Sequence, residues 1–157
     1  MILIQKGFIA MDNFSSECIS LVSFDKIYSQ NIRPKLEDID VFLKSRTMPY
    51  DINDIAHLLS VHPVDILDVM DRLEISTLNK ISFFSLLLYL PSYICKLIQR
   101  QWQYSTAKVY SAEMIAAIYQ INIHKVKSAF EELEIEYIAS DQLNAVFKRI
   151  YSPIFTL

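Results

Sequence analysis

Residues 50–75, YDINDIAHLLSVHPVDILDVMDRLEI, read as helix, tight turn, helix. Ile52, Ile55, Ala56 and Leu59 recur at helical spacing. Val61 falls in the turn, and Ile66, Val69, Met70 and Leu73 then resume the same period. Pro63 fits the first turn of the second helix, where its missing N–H costs nothing. The stretch returns sixty residues later as residues 110–135, YSAEMIAAIYQINIHKVKSAFEELEI. Tyr50/Tyr110, Ile55/Ile115, Ala56/Ala116, Leu73/Leu133, Glu74/Glu134 and Ile75/Ile135 are identical, and Leu58/Ile118, Val61/Ile121, Ile66/Val126 and Leu78/Ile138 are conservative. An internal repeat dictates architecture before any local feature does. The chain is therefore expected to be mainly α, with two copies of a helix-turn-helix module joined by a central apolar helix.

Working outward, residues 1–47 read as an N-terminal arm followed by helices, 48–90 as the first module, 91–108 as a bridging helix, 109–152 as the second module and 153–157 as a tail. Within the arm, residues 1–10 fit a short strand or a loose arm. Residues 15–31 carry an apolar stripe of Cys18, Leu21, Val22, Ile27 and Tyr28 that predicts a helix. Asn31-Ile32-Arg33-Pro34 is expected to break it, because the residue before proline avoids the helical region. Each module ends in a short extended piece, 76–80 and 136–139, and then another helix.

The composition sets limits. At 157 residues, with 52% hydrophobic side chains, the chain can build one core or two small ones and leave apolar surface for a partner. Its one glycine, Gly7, precedes both modules, which disfavours phosphate-cradling loops and tight hairpins. Cys18 and Cys95 are far apart in apolar patterns and read as buried thiols of a reducing compartment. The N-terminal run is short and broken by Lys6, so no signal peptide is read there. Residues 81–98 are the most apolar run, but Pro91 and Lys96 interrupt it. It reads as a buried or interface helix, with no membrane partner expected and self-association or a protein partner expected through residues 81–104.

No nucleophile elbow, HExxH or phosphate loop occurs, so no enzyme, catalytic residue or cofactor is expected. His57 and His62 flank the first turn without a second ligand at metal spacing, so no metal site is read either.

The two modules resemble the prokaryotic helix-turn-helix, with Ala56, Leu59, Val61, Ile66 and Val69, and again Ala116, Tyr119, Ile121, Val126 and Ala129, on that motif's apolar positions. The added extended piece and helix are similar to the small winged domains of the excisionase and MerR type. Both copies depart from the pattern at the turn, where Ser60 and Gln120 stand in place of the common glycine. The resemblance implies that the second helix of module two meets duplex DNA through Asn122, His124, Lys125 and Lys127, with Lys148 and Arg149 on the backbone. In module one Asp65, Asp68 and Asp71 would repel phosphates, and they read as a docking face for a basic partner or as a solvated face. Two functions follow as expectations: a cytoplasmic DNA-binding regulator of bacterial or phage origin, or a non-enzymatic adaptor that uses the same scaffold for protein partners. The net charge of −3 and pI of about 5.6 favour the second.

Overall fold

A computed structural model describes residues 19–155. The readings of residues 1–10 as strand or arm, of Cys18 as a buried thiol and of a tail beyond 155 lie outside the described residues. The fold is mainly α, as the periodicity predicts. In chain order the elements are β1 (Ile19–Ser23), α1 (Phe24–Ile27), a π-helical turn (Tyr28–Ile32), α2 (Arg33–Ser45), α3 (Ile52–Leu59), α4 (Pro63–Arg72), α5 (Lys80–Tyr89), α6 (Tyr93–Gln103), α7 (Ala112–Tyr119), α8 (Ile123–Leu133), a 3-10 turn (Ser140–Gln142), α9 (Leu143–Phe147) and β2 (Tyr151–Phe155).

The sixty-residue offset survives at the level of single hydrogen bonds. Val61 N–H donates to Ala56 C=O (3.0 Å), and Ile121 N–H to Ala116 C=O (3.1 Å). Ile75 N–H donates to Met70 C=O (2.8 Å), and Ile135 N–H to Phe130 C=O (3.1 Å). Tyr50 N–H donates to Leu78 C=O, and Tyr110 N–H to Ile138 C=O, both at 2.8 Å. The left-handed residues also match. Ser60 (φ 55°) and Gln120 (φ 56°) end α3 and α7, and Glu74 (φ 53°) and Glu134 (φ 54°) follow α4 and α8. Glycine usually takes such positions, yet none of these four residues is glycine. Where the resemblance implies a wing, the described residues have an isolated bridge between Tyr110 and Ile138.

Capping follows the sequence. The Asp51 carboxylate accepts from the N–H groups of Asn53 (2.8 Å) and Asp54 (3.2 Å), and Ser111 Oγ from that of Met114 (3.3 Å). Ile55, Leu59, Ile66, Phe83, Leu86, Ile115, Val126 and Val146 are fully buried in one continuous core.

Three local expectations are corrected. Residues 15–31 are not one helix: Ile19–Ser23 is a strand, paired antiparallel with Tyr151–Phe155 in the register Ile19 opposite Phe155 and Ser23 opposite Tyr151. The expected tail from 153 is therefore strand through Phe155. The spacing of Leu21 and Val22 mimics a helical stripe, while the strand partner lies at the far end of the chain, beyond the reach of a local pattern. Finally, the chain does not break at Asn31–Pro34. Pro34 sits in the first turn of α2, where its missing N–H is tolerated, and a π-helical turn leads into it.

Candidate docking surface

The residues expected to read DNA are mostly occupied within the protein. Asn122 caps α8, its side-chain oxygen accepting from His124 N–H at 2.9 Å. Lys125 Nζ donates to the carbonyl of Tyr151 in β2. Lys127 pairs with Glu113 at 3.0 Å, and the Lys127 ammonium holds the Glu113 carboxyl below the usual carboxylate range. Arg149 meets Glu132 at 3.6 Å and donates to Ala145 C=O at 2.9 Å. His124 and Lys148 are exposed. In module one, Asp65 accepts from His62 N–H at 3.0 Å at the start of α4, while Asp68 and Asp71 are exposed. Sequence spacing finds which residues share a helix, but it cannot see that Glu113, Glu132 and Tyr151 arrive from elsewhere to engage them.

The exposed feature that the residue pattern alone did not orient lies on α5. Ser82 anchors its start: Asn79 N–H donates to Ser82 Oγ (2.7 Å), and Asn79 Oδ1 accepts from Ser82 N–H (3.0 Å). This capping box satisfies two backbone N–H groups at the start of the helix. Phe83, Leu86, Leu87 and Leu90 then turn inward and are buried, with Phe83 stacked on Phe42 at 5.9 Å. The opposite side is apolar too. Ile81 is 80% exposed, Phe84 43% and Leu88 51%, a stripe at i, i+3 and i+7. A helix that is apolar all round is normally enclosed on all sides, and α5 is enclosed on one.

The next helix completes the surface. α5 and α6 meet at a bend of 99°. Gln99 Nε2 donates to Leu87 C=O (2.6 Å), and Lys96 Nζ donates to Gln99 Oε1 (3.3 Å), which brings Lys96 beside the last turn of α5. Arg100 Nε donates to Ile118 C=O (2.7 Å) and ties α6 to α7. Trp102 lies against Phe84, ring centroids 5.9 Å apart, and remains 38% exposed. Tyr89 and Tyr93, about half exposed, flank the bend. Burial pushes the Tyr93 phenol up, against the smaller opposing effect of Arg100, and burial also pushes up the Cys95 thiol, so neither is an activated nucleophile. Among the described residues no three His, Cys, Asp or Glu side chains group as a metal site would require. Among them, too, no single helix is long and apolar enough to cross a membrane, though α5 and α6 as a bent pair reach that length and composition.

No protein-family profile matches the chain, and no solved structure does. The chain is similar to a UPF0754 membrane protein of Listeria welshimeri, 29% identical over 75 residues. The match covers 48% of this chain and 20% of that protein. The relative's description points away from a cytoplasmic DNA-binding transcription regulator. It corrects the expectation of that function and of that location, and it lends nothing to the helix-turn-helix adaptor. What the sequence resembles by this comparison is a segment of a membrane protein.

Proposed function

We propose that the chain is a non-enzymatic docking module of a membrane-associated protein, and that its working surface is the exposed apolar face of α5 with Trp102. One observation carries the reading. At the sixty-residue offset, Ile81, Phe84, Leu88 and Tyr89 correspond to Asp141, Asn144, Lys148 and Arg149. The inward residues Leu86, Leu87 and Leu90 correspond to Val146, Phe147 and Ile150, all buried. The same inward register therefore accepts a polar outer row, which leaves Ile81 and Leu88 apolar without a demand from the core, while Phe84 also packs on Trp102. A contiguous exposed apolar patch marks an interaction surface. The description of the Listeria relative supports a membrane setting, which departs from the expectation of no membrane partner. The earlier expectation of association through residues 81–104 falls on the same elements.

The test gives the first repeat the outer face of the second: Ile81→Asp, Phe84→Asn and Leu88→Lys in the full chain. The expected result is a melting temperature within about 4 °C of the parent, since exposed side chains contribute little to folding. In a bacterial host, the parent chain sediments with the membrane fraction and the variant stays in the supernatant. A variant that unfolds would show the face to be structural. A folded variant that still sediments with membranes would show that docking occurs elsewhere. Either result removes the proposal.

A further inference from the structure

We infer that the α5 face is covered by the interfacial zone of an anionic lipid bilayer, with α5 lying in the membrane plane. This rests on the docking reading above and names its occupant. The independent observation is charge. Residues 75–112 hold Lys80, Lys96, Arg100 and Lys108 and not one of the chain's 18 carboxylates, a local charge of +4. The rest of the chain has eleven cations against those 18 carboxylates, a charge of −7. Lys80, Lys96 and Lys108 are exposed, and among the described residues none of the ion pairs uses any of the four. The apolar stripe thus sits within the one long stretch of an acidic protein that an anionic surface would attract. A second copy would bring the same cationic segment against itself.

The side chains suit a water–lipid boundary. Ile81, Phe84 and Leu88 form the apolar centre. Tyr89, in the last turn of α5, and Trp102, against Phe84, border it, residue types whose rings have one apolar and one polar end. Length sets the orientation. α5 has 10 residues, on the order of 15 Å, about half of a hydrocarbon core. Its inner side is committed to the protein core through Phe83, Leu86 and Leu87. One face inserts while the helix stays on the protein.

The experiment is co-sedimentation of the full chain with vesicles of phosphatidylglycerol and phosphatidylcholine in equal parts, and with phosphatidylcholine alone. Binding to the anionic vesicles is expected, at least about ten-fold tighter than to the neutral ones and weakened by salt. Trp102 is the single tryptophan, so its emission moves to shorter wavelength on insertion without interference. Phe84→Asn with Leu88→Gln keeps the charge and weakens binding about ten-fold or more. Lys80→Gln with Lys96→Gln weakens binding to anionic vesicles and leaves the neutral ones unchanged. Absence of vesicle binding, or binding indifferent to Phe84→Asn with Leu88→Gln, overturns the inference. If vesicles fail while the membrane fraction of cells still retains the parent and not the face-swapped variant, the occupant is a protein of that membrane. The docking reading then stands without the lipid one. If both fail, both fall.

Discussion

The helix that closes the first repeat and the one that closes the second are built on the same inward register and opposite outward chemistry. In α5 the buried residues Leu86, Leu87 and Leu90 stand behind an outer row of Ile81, Phe84 and Leu88. In α9 and its 3-10 turn the buried Val146, Phe147 and Ile150 stand behind Asp141, Asn144 and Lys148. Even the entry to the helix is shared: Asn79 N–H donates to Ser82 Oγ, and Ala139 N–H donates to Gln142 Oε1 at 3.4 Å. The two copies thus separate what folding demands from what it leaves free. Inner positions are apolar in both because each must fill a close-packed core. Outer positions differ because the core does not select them: Ile81, Phe84 and Leu88 stay largely exposed, with Trp102 against the Phe84 ring alone. The aromatic clusters differ as well. In the first repeat Phe83 meets Tyr50 within its own repeat and Phe42 from α2 just before it. In the second, Phe147 meets Tyr119 within its own repeat and Phe24 and Tyr28 from the N-terminal segment. Phe24 N–H also donates to Ile150 C=O at 2.7 Å, so the start of the described chain seals the second repeat.

The largest effect is expected from breaking the equivalence of Leu87 and Phe147. Phe147→Ala removes a ring with centroids 4.9 Å from Phe24, 5.2 Å from Tyr28 and 4.9 Å from Tyr119, and should cost about 3–5 kcal/mol in urea unfolding. Leu87→Ala, at the matching position, should cost about 2–5 kcal/mol. A cost for Phe147→Ala below about 1 kcal/mol would mean that the N-terminal segment does not pack on the second repeat in solution.

A smaller effect separates the repeats by pH. Tyr119 matches Leu59, which is fully buried and cannot ionise. Burial raises the Tyr119 phenol from 10.0 to about 12, with a further upward push from Tyr28. The folded value lies above the unfolded one, so the contribution is fully present below pH 10 and is lost as pH rises from 10 to about 12. The loss is on the order of 2 kcal/mol. Tyr119→Phe should flatten this alkaline limb in thermal scans. A limb that persists in Tyr119→Phe would assign the alkaline loss to another group.

The helices and their repetition were legible in the sequence because both rest on local periodicity. Ile55 and Ile115, or Ile66 and Val126, each sit at helical spacing from their own neighbours. The strand at Ile19–Ser23 was not legible, since its sheet partner among the described residues is Tyr151–Phe155 and local spacing favoured a helix. The same blindness shaped the expected DNA site. Asn122, Lys125, Lys127 and Arg149 look like a basic cluster along the chain, but each has a hydrogen-bond or ion-pair partner in the fold. The α5 surface fell between these cases. Residues 81–98 were recognisably too apolar for a solvated helix, yet a helix apolar on every side carries no moment to say which side the core takes. The inward turn of Phe83 onto Phe42 decides that, and it depends on a contact made only after folding.

The finest test of the repeat uses its two left-handed glutamates. Glu74 and Glu134 hold φ of 53° and 54°, where a Cβ crowds the following carbonyl and costs roughly 1 kcal/mol. Glycine removes that crowding but gains freedom in the unfolded chain, which offsets part of the relief. Glu74→Gly and Glu134→Gly should therefore each stabilise by no more than about 0.5–1 kcal/mol. Each glutamate N–H closes an equivalent bond, to Asp71 C=O at 3.2 Å and to Glu131 C=O at 3.1 Å, so the two gains should agree. Well-separated substitutions add, so the double variant should show the sum in chemical denaturation. A gain at Glu134 with a loss at Glu74 would mean that one backbone is not left-handed in solution. It would break the equivalence on which the reading of the α5 face depends, because that reading needs residue 81 to stand where residue 141 stands.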